Sequence, residues 1–224
     1  MNKTKNFFKS IFSKLVLMSL LITRKKKCTC QTKKVFNQNL CKKGIIPIDF
    51  YFEDPYDTAE VRQNITISIT EYGHKKIYLI IDSGGGKTDL AFKLYDFLIG
   101  LSPSIEIIGI VNGKCMSSAM IILAACSKRF SFKHSTFLLH GITLRDISLN
   151  SLEEELESIF MKKLEDFKTI SLNYENIVLS KFSISEEKYK ELSNDGKNFN
   201  RKFFPSKAKE NGIIDEIIEK FPFM

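Results

Sequence analysis

Tryptophan is absent from the 224 residues, histidine occurs three times and proline five times. No apolar run approaches the ~18 residues of a membrane-spanning helix, so the body of the chain reads as globular. The nearest candidate, "LVLMSLLI" from Leu15 to Ile22, is short, follows Lys14 directly, and runs into "TRKKK" instead of a small-residue cleavage site. Aspartate and glutamate are missing from residues 1–43, which hold 12 of the 34 Lys and Arg. The remaining 22 basic residues face all 26 acidic ones, so the net +8 belongs to the first segment and the rest is acidic. An acidic body argues against a phosphate-binding face and hence against nucleic acid as partner. Residues 1–43 are expected to form a basic N-terminal tail, disordered or targeting, and residues 44–224 one α/β domain. A cytoplasmic location follows, the alternative being an organellar or membrane-associated one through residues 1–30.

The five cysteines show no framework. Cys28 and Cys30 make a C-x-C pair without a second pair or a nearby histidine, which is too little for zinc, and the thiols read as free. "SGGGKTD" lacks the first glycine of a phosphate-binding loop, because Ile81 stands where G-x-x-x-x-G-K-[ST] requires it. No cofactor or metal is therefore expected.

What is present is an alternation. "IYLIIDS" and "IEIIGIV" read as buried strands, each followed by turn chemistry and then an apolar helix: Leu90, Leu94, Phe97 and Leu98 recur at helical spacing, and "SAMIILAAC" follows "NGKCMS". "KRFSF" and "STFLLH" read as two further strands. Alternation of this kind predicts crossover units and a parallel or mixed sheet, with ligands beyond the strand C-termini. Gly84, Gly85 and Gly86, the pair Ser117 and Ser118, and His140 all fall at those ends. Downstream, Leu156, Ile159, Phe160, Leu164, Phe167, Ile170 and Tyr174 mark an amphipathic helix from Leu152 to about Ile177, with more apolar stripe than one small sheet can cover. Ser185 is placed to cap a short helix, Asp195-Gly196 to turn, Pro205 to open another helix and Gly212 to end it.

Two readings fit the serine pair. A serine at a helix start caps a free backbone N–H; a serine beside a base and converging N–H groups is an acyl-transfer nucleophile. His140 is the base candidate, while His74 and His134 read as surface residues. Spacing alone does not choose between these.

The ordered set "IYLIIDSGGGKTDLAFKLYDFL", "IEIIGIVNGKCMSSAMIILAACSKRF", "STFLLHG" and "AKENGIIDEI" resembles the proteolytic subunit of the ATP-dependent Clp protease and its divergent serine-protease relatives. The resemblance runs from about Gly44 to Ile218. It implies a Clp/crotonase-type fold of repeated ββα units with a long protruding handle helix, and a serine endopeptidase without cofactor acting on unfolded polypeptide. It also implies a homo- or hetero-oligomeric ring and an AAA+ ATPase partner. Carried over by motif, Ser117 is the nucleophile, His140 the base, and the backbone N–H groups of Gly85 and Ser118 the oxyanion hole. Ser118→Ala is then expected to be mild, since only the backbone N–H of Ser118 is asked to act.

Three departures accompany this. The family's Gln-Pro and glycine-rich strand after the histidine are replaced by "HGITLRDISLN". The usual proline of S-P-G-G is Gly84. The family's aspartate aligns with Gly196 or Lys197, leaving the neighbouring Asp195 as third member. The alternatives are a ring-forming structural subunit that cuts little, and an acyl-CoA enzyme of the crotonase type, which would have no serine nucleophile.

Overall fold

A computed structural model describes residues 39–142, 153–193 and 202–223, and of residues 153–160 the helical backbone alone. The expected tail up to residue 38, the side chains of Leu156, Ile159 and Phe160, and the Asp195-Gly196 turn lie outside the described residues. Packing begins before Gly44: Cys41 is buried, its thiol donating to the Asn64 carbonyl while its own carbonyl accepts from Ser68 Oγ.

Six strands form one sheet. In chain order they are β1 (Ile45–Ile48), β2 (Lys76–Ser83), β3 (Glu106–Met116), β4 (Lys128–Phe132), β5 (Thr136–Leu138) and β6 (Glu216–Ile218). The spatial order is β1-β2-β3-β4-β6, β5 pairs with β3, and every ladder is parallel. Between the strands lie α1 (Pro55–Thr70), α2 (Thr88–Leu101) and α3 (Ala119–Ala124), and after β5 come α4 (Glu153–Phe182), α5 (Glu186–Ser193) and α6 (Pro205–Glu210). Local chemistry sets several of the helix ends. The Asp54 carboxylate accepts from Tyr56 N–H with Pro55 in the first turn of α1, and Ser185 Oγ accepts from Lys188 N–H ahead of α5.

The β2 run is apolar throughout, yet its burial alternates: Ile77, Leu79 and Ile81 are fully buried and Tyr78 and Ile80 only half so. The first set shares one core with Leu90, Leu94 and Leu98 of α2 and all six residues of α3. The other face meets the C-terminal segment instead. Tyr78 packs edge-on against Phe223, Phe223 stacks on Phe221, and Phe221 meets Phe132, with centroids 5.0, 5.0 and 4.8 Å apart.

The expected turn "NGKCMS" is not a turn. β3 runs on through it to Met116, changing partners on the way: Ile108 to Val111 pair with β4, whereas Lys114 to Met116 pair with β5. The register on β2 shifts at the same place, from Ile81↔Val111 to Ser83↔Cys115. Asp82 makes this possible, its carboxylate accepting Lys114 N–H at 2.9 Å in the gap. Gly113 sits against that carboxylate at φ 132°, where a Cβ would come within 2.5 Å of it. Asn-Gly is ordinary turn chemistry, so only the β5 partner reveals the strand.

Two of the sequence motifs meet across 86 residues. Arg129 of "KRF" reaches Asp215 of "GIID" through its guanidinium at 3.1 Å and its backbone N–H at 2.7 Å. Its other nitrogen donates to the Lys181 carbonyl, and the guanidinium lies 5.3 Å from the Phe182 ring centroid. The pair joins β4, the end of α4 and the approach to β6.

α4 is longer than expected and reaches Phe182. Its buried residues are Tyr174, Val178 and Phe182; Leu164, Phe167 and Ile170 are half-buried, and Met161 and Leu172 exposed. Among its described side chains, then, only those from Tyr174 onward include sealed ones. Among the described residues no helix is long and apolar enough to cross a membrane.

Candidate active site

Ser117 lies between the last residue of β3 and α3, and its φ of 53° places a non-glycine residue in the left-handed region. Such a conformation costs on the order of 1–3 kcal/mol and persists only where neighbours over-determine it. Here they do. Ser117 N–H donates to Leu138 O at 2.8 Å, extending the β3–β5 ladder by one residue, and its carbonyl accepts from Met120 N–H at 2.9 Å and Tyr174 Oη at 3.2 Å. The result is a half-exposed hydroxyl at a sharp strand-to-helix corner.

Ser118 follows and is buried. Its N–H has no acceptor among the described residues, as the start of a helix requires. Its Oγ, however, donates to Gly86 O at 2.8 Å and lies 3.4 Å from Thr88 Oγ1. The hydroxyl thus ties the strand-to-helix corner to the glycine loop, and removing it leaves the part-buried Gly86 carbonyl without that donor.

The glycine loop packs directly on that corner. A Cβ on Gly85, whose φ is 92°, would lie 2.6 Å from Met116 O and 2.7 Å from Ser117 Cβ. Glycine is the only residue that lets the two backbones approach this closely. Gly85 N–H is engaged with Ser83 Oγ at 3.2 Å, whereas Gly86 N–H has no partner among the described residues. The loop thus presents Gly86 beside Gly85 as an N–H donor. At Gly84 the crowding atoms belong to Tyr51, whose exposed ring tip would lie 2.4 to 2.8 Å from a Cβ. The Tyr51 ring occupies the space that a proline at this position would need.

This contrast yields a prediction. Gly85→Ala is expected to lower peptide hydrolysis by about 10²-fold or more, since the new methyl meets fixed backbone and displaces the corner by an ångström or so. Gly84→Ala meets only a mobile ring and is expected to stay within a few-fold of wild type. Steady-state assays of the two variants, matched for folded content by circular dichroism, check it.

His140 lies two residues beyond β5, on the strand that Ser117 N–H grips. Its Nδ1 faces the carbonyl of Gly141, which can only accept, so Nδ1 is the donor in that contact and Nε2 is the ring nitrogen left free of it. That arrangement is the one a general base needs. No hydrogen bond joins Ser117 Oγ to His140 among the described residues; the sheet brings both to one edge and leaves the contact open. Asp195 lies outside the described residues. The elements on either side of it are clamped together, with Glu191 of α5 bonded to Lys207 of α6 at 2.9 Å and to Lys188 at 2.8 Å. These lysines hold the Glu191 carboxyl at about 2, below its usual 4.5. A carboxyl depressed in the fold stabilises it fully above the usual value and loses that contribution as pH falls towards 2.

Cys115, two residues before Ser117, offers no rival nucleophile: burial pushes its thiol well up, and that of Cys126 to about 12. His74 bonds to the Lys42 carbonyl at 3.0 Å and His134 is exposed, so neither enters the site. Among the described residues there is no cluster able to hold a metal ion. Sequence reasoning missed Tyr174, which it counted as one more member of an apolar stripe. A tyrosine on such a stripe has a polar tip needing a partner, and this was the one available signal.

A family model described as Clp protease matches residues 29–221, nearly the whole chain. The chain belongs to the Clp protease family, and peptide-bond hydrolysis is the reaction class that goes with it.

Proposed function

We propose that this member of the Clp protease family is the proteolytic subunit of an ATP-dependent Clp-type protease and cuts unfolded polypeptide as a serine endopeptidase. Ser117 Oγ attacks the scissile carbonyl, His140 Nε2 takes its proton, and the same nitrogen returns it to the leaving amine. The tetrahedral oxyanion is met by Ser118 N–H and by the glycine loop at Gly85 and Gly86. Asp195 orients His140 from the segment between α5 and α6. The observation that carries this reading is the left-handed Ser117 at the β3–α3 corner, half-exposed and lined by glycine backbone.

Intact-mass spectrometry after treatment with a fluorophosphonate tests it. A single covalent adduct is expected on Ser117, absent from Ser117→Ala. A chain that forms no adduct would instead be a ring-forming subunit that keeps the fold and cuts little.

The subunit acts within a ring in the cytoplasm, fed by an AAA+ ATPase, and α4 supplies part of the subunit contact. Met161 and Leu172 are 57% and 59% exposed, and Leu164, Phe167 and Ile170 on the same helix are half-covered. Apolar surface left open in this way is ordinarily an interface. Light scattering at micromolar concentration is expected to give a multiple of the chain mass; a particle of 25.8 kDa would overturn the assignment.

A further inference from the structure

We propose that Tyr174 is a positioning residue for Ser117: from α4 its phenol holds the Ser117 carbonyl and keeps the nucleophile's backbone in its left-handed conformation. This rests on the reading of Ser117 as nucleophile and extends it to a residue that belongs to none of the motifs. Three hydrogen bonds restrain the Ser117 peptide groups. Two are backbone bonds, from Ser117 N–H to Leu138 O and from Met120 N–H to Ser117 O. The third is the only side-chain one among the described residues, Tyr174 Oη to Ser117 O at 3.2 Å, and it bridges 57 residues of sequence.

The environment fits a donor with one task. Tyr174 is 2% exposed and belongs to the core that also contains Cys115 and α3. Burial pushes its phenol well up, so it stays protonated and can only donate to a carbonyl. The backbone bonds fix where the corner begins and ends. The phenol acts between them, on the carbonyl whose direction is set by the Ser117 ψ angle and whose peptide plane contains Ser118 N–H. A change there moves the Oγ and an oxyanion donor together. Loss of the phenol is thus felt in turnover before substrate affinity.

Tyr174→Phe keeps the ring and its packing and removes only the donor. The full chain, wild type and variant, is compared by the rate of fluorophosphonate adduct formation at Ser117, by kcat and KM on an unfolded protein substrate, and by amide hydrogen exchange across residues 116–124 and α4. In the variant, adduct formation and kcat are expected to fall about tenfold, the scale of one hydrogen bond misdirected, with KM within about twofold. Exchange is expected to quicken at the amides of Ser117 to Met120 and nowhere else. Exchange unchanged at those amides overturns the proposal, as does a uniform rise over α3 and α4, which is the mark of lost packing alone. If the wild type forms no adduct, it is the nucleophile that fails; the exchange pattern then still decides whether Tyr174 holds the corner.

Discussion

Ser117→Ala is expected to reduce peptide hydrolysis to background, a loss on the order of 10⁶-fold if the residues act as a unit, while the protein stays folded. The hydroxyl is half-exposed and has no hydrogen-bond partner among the described residues, so removing it leaves nothing buried and unpaired. Alanine at φ 53° carries about the same backbone strain as serine, and the tethers to Leu138, Met120 and Tyr174 all use backbone atoms of residue 117. Thermal midpoints of the variant and wild type should therefore agree within a degree or two. Ser118→Ala makes the opposite comparison. It removes a part-buried bond to Gly86 O and is expected to cost about 1 kcal/mol of stability, with only partial loss of activity. Should Ser118→Ala be the inactive variant and Ser117→Ala the active one, the nucleophile has been placed one residue out of register.

Asp195→Asn is expected to lower turnover by about 10⁴-fold with little change in stability, the scale of losing the orienting carboxylate of a serine triad. The Gly141 carbonyl facing His140 Nδ1 offers a dipole where a carboxylate offers a full charge. Were His140 to take the serine proton, a carboxylate beside it would stabilise the imidazolium better than a carbonyl does. The Glu191–Lys207 clamp keeps both ends of the Asp195 segment with the domain, and Asp-Gly can adopt the backbone conformation that turns a side chain inwards. Steady-state kcat for Asp195→Asn measures the role directly. A variant that keeps more than about a tenth of wild-type turnover would show that the Gly141 carbonyl suffices and that the site is a dyad.

Much of this architecture was legible before any coordinates. Apolar runs of strand length alternating with helical repeats carried β2 to β5, α2 and α3, and the order of four motifs carried the family resemblance. Capping chemistry at Ser185 and Pro205 marked helix starts closely, because those signals are local. Where the reading went wrong, a distant segment decided. "NGKCMS" has turn composition, but the β5 edge and the Asp82 carboxylate satisfy its backbone groups as strand. β2 reads as buried on both faces, yet on one of them Tyr78 is half-buried against the rings of the C-terminal segment.

The sequence by itself determined the class of fold and picked out Ser117, His140 and the loop of three glycines as candidate parts of a site. Each of these rests on residue type and spacing, which act over a turn or a strand. Only the tertiary structure decided that Ser117 is left-handed, that the Ser118 hydroxyl braces the glycine loop, that Arg129 and Asp215 are partners, and that Tyr174 reaches the nucleophile's carbonyl. These are hydrogen bonds between groups 32 to 86 residues apart. A buried polar group takes whatever partner the fold brings within reach, and no local pattern in the chain encodes which one that is.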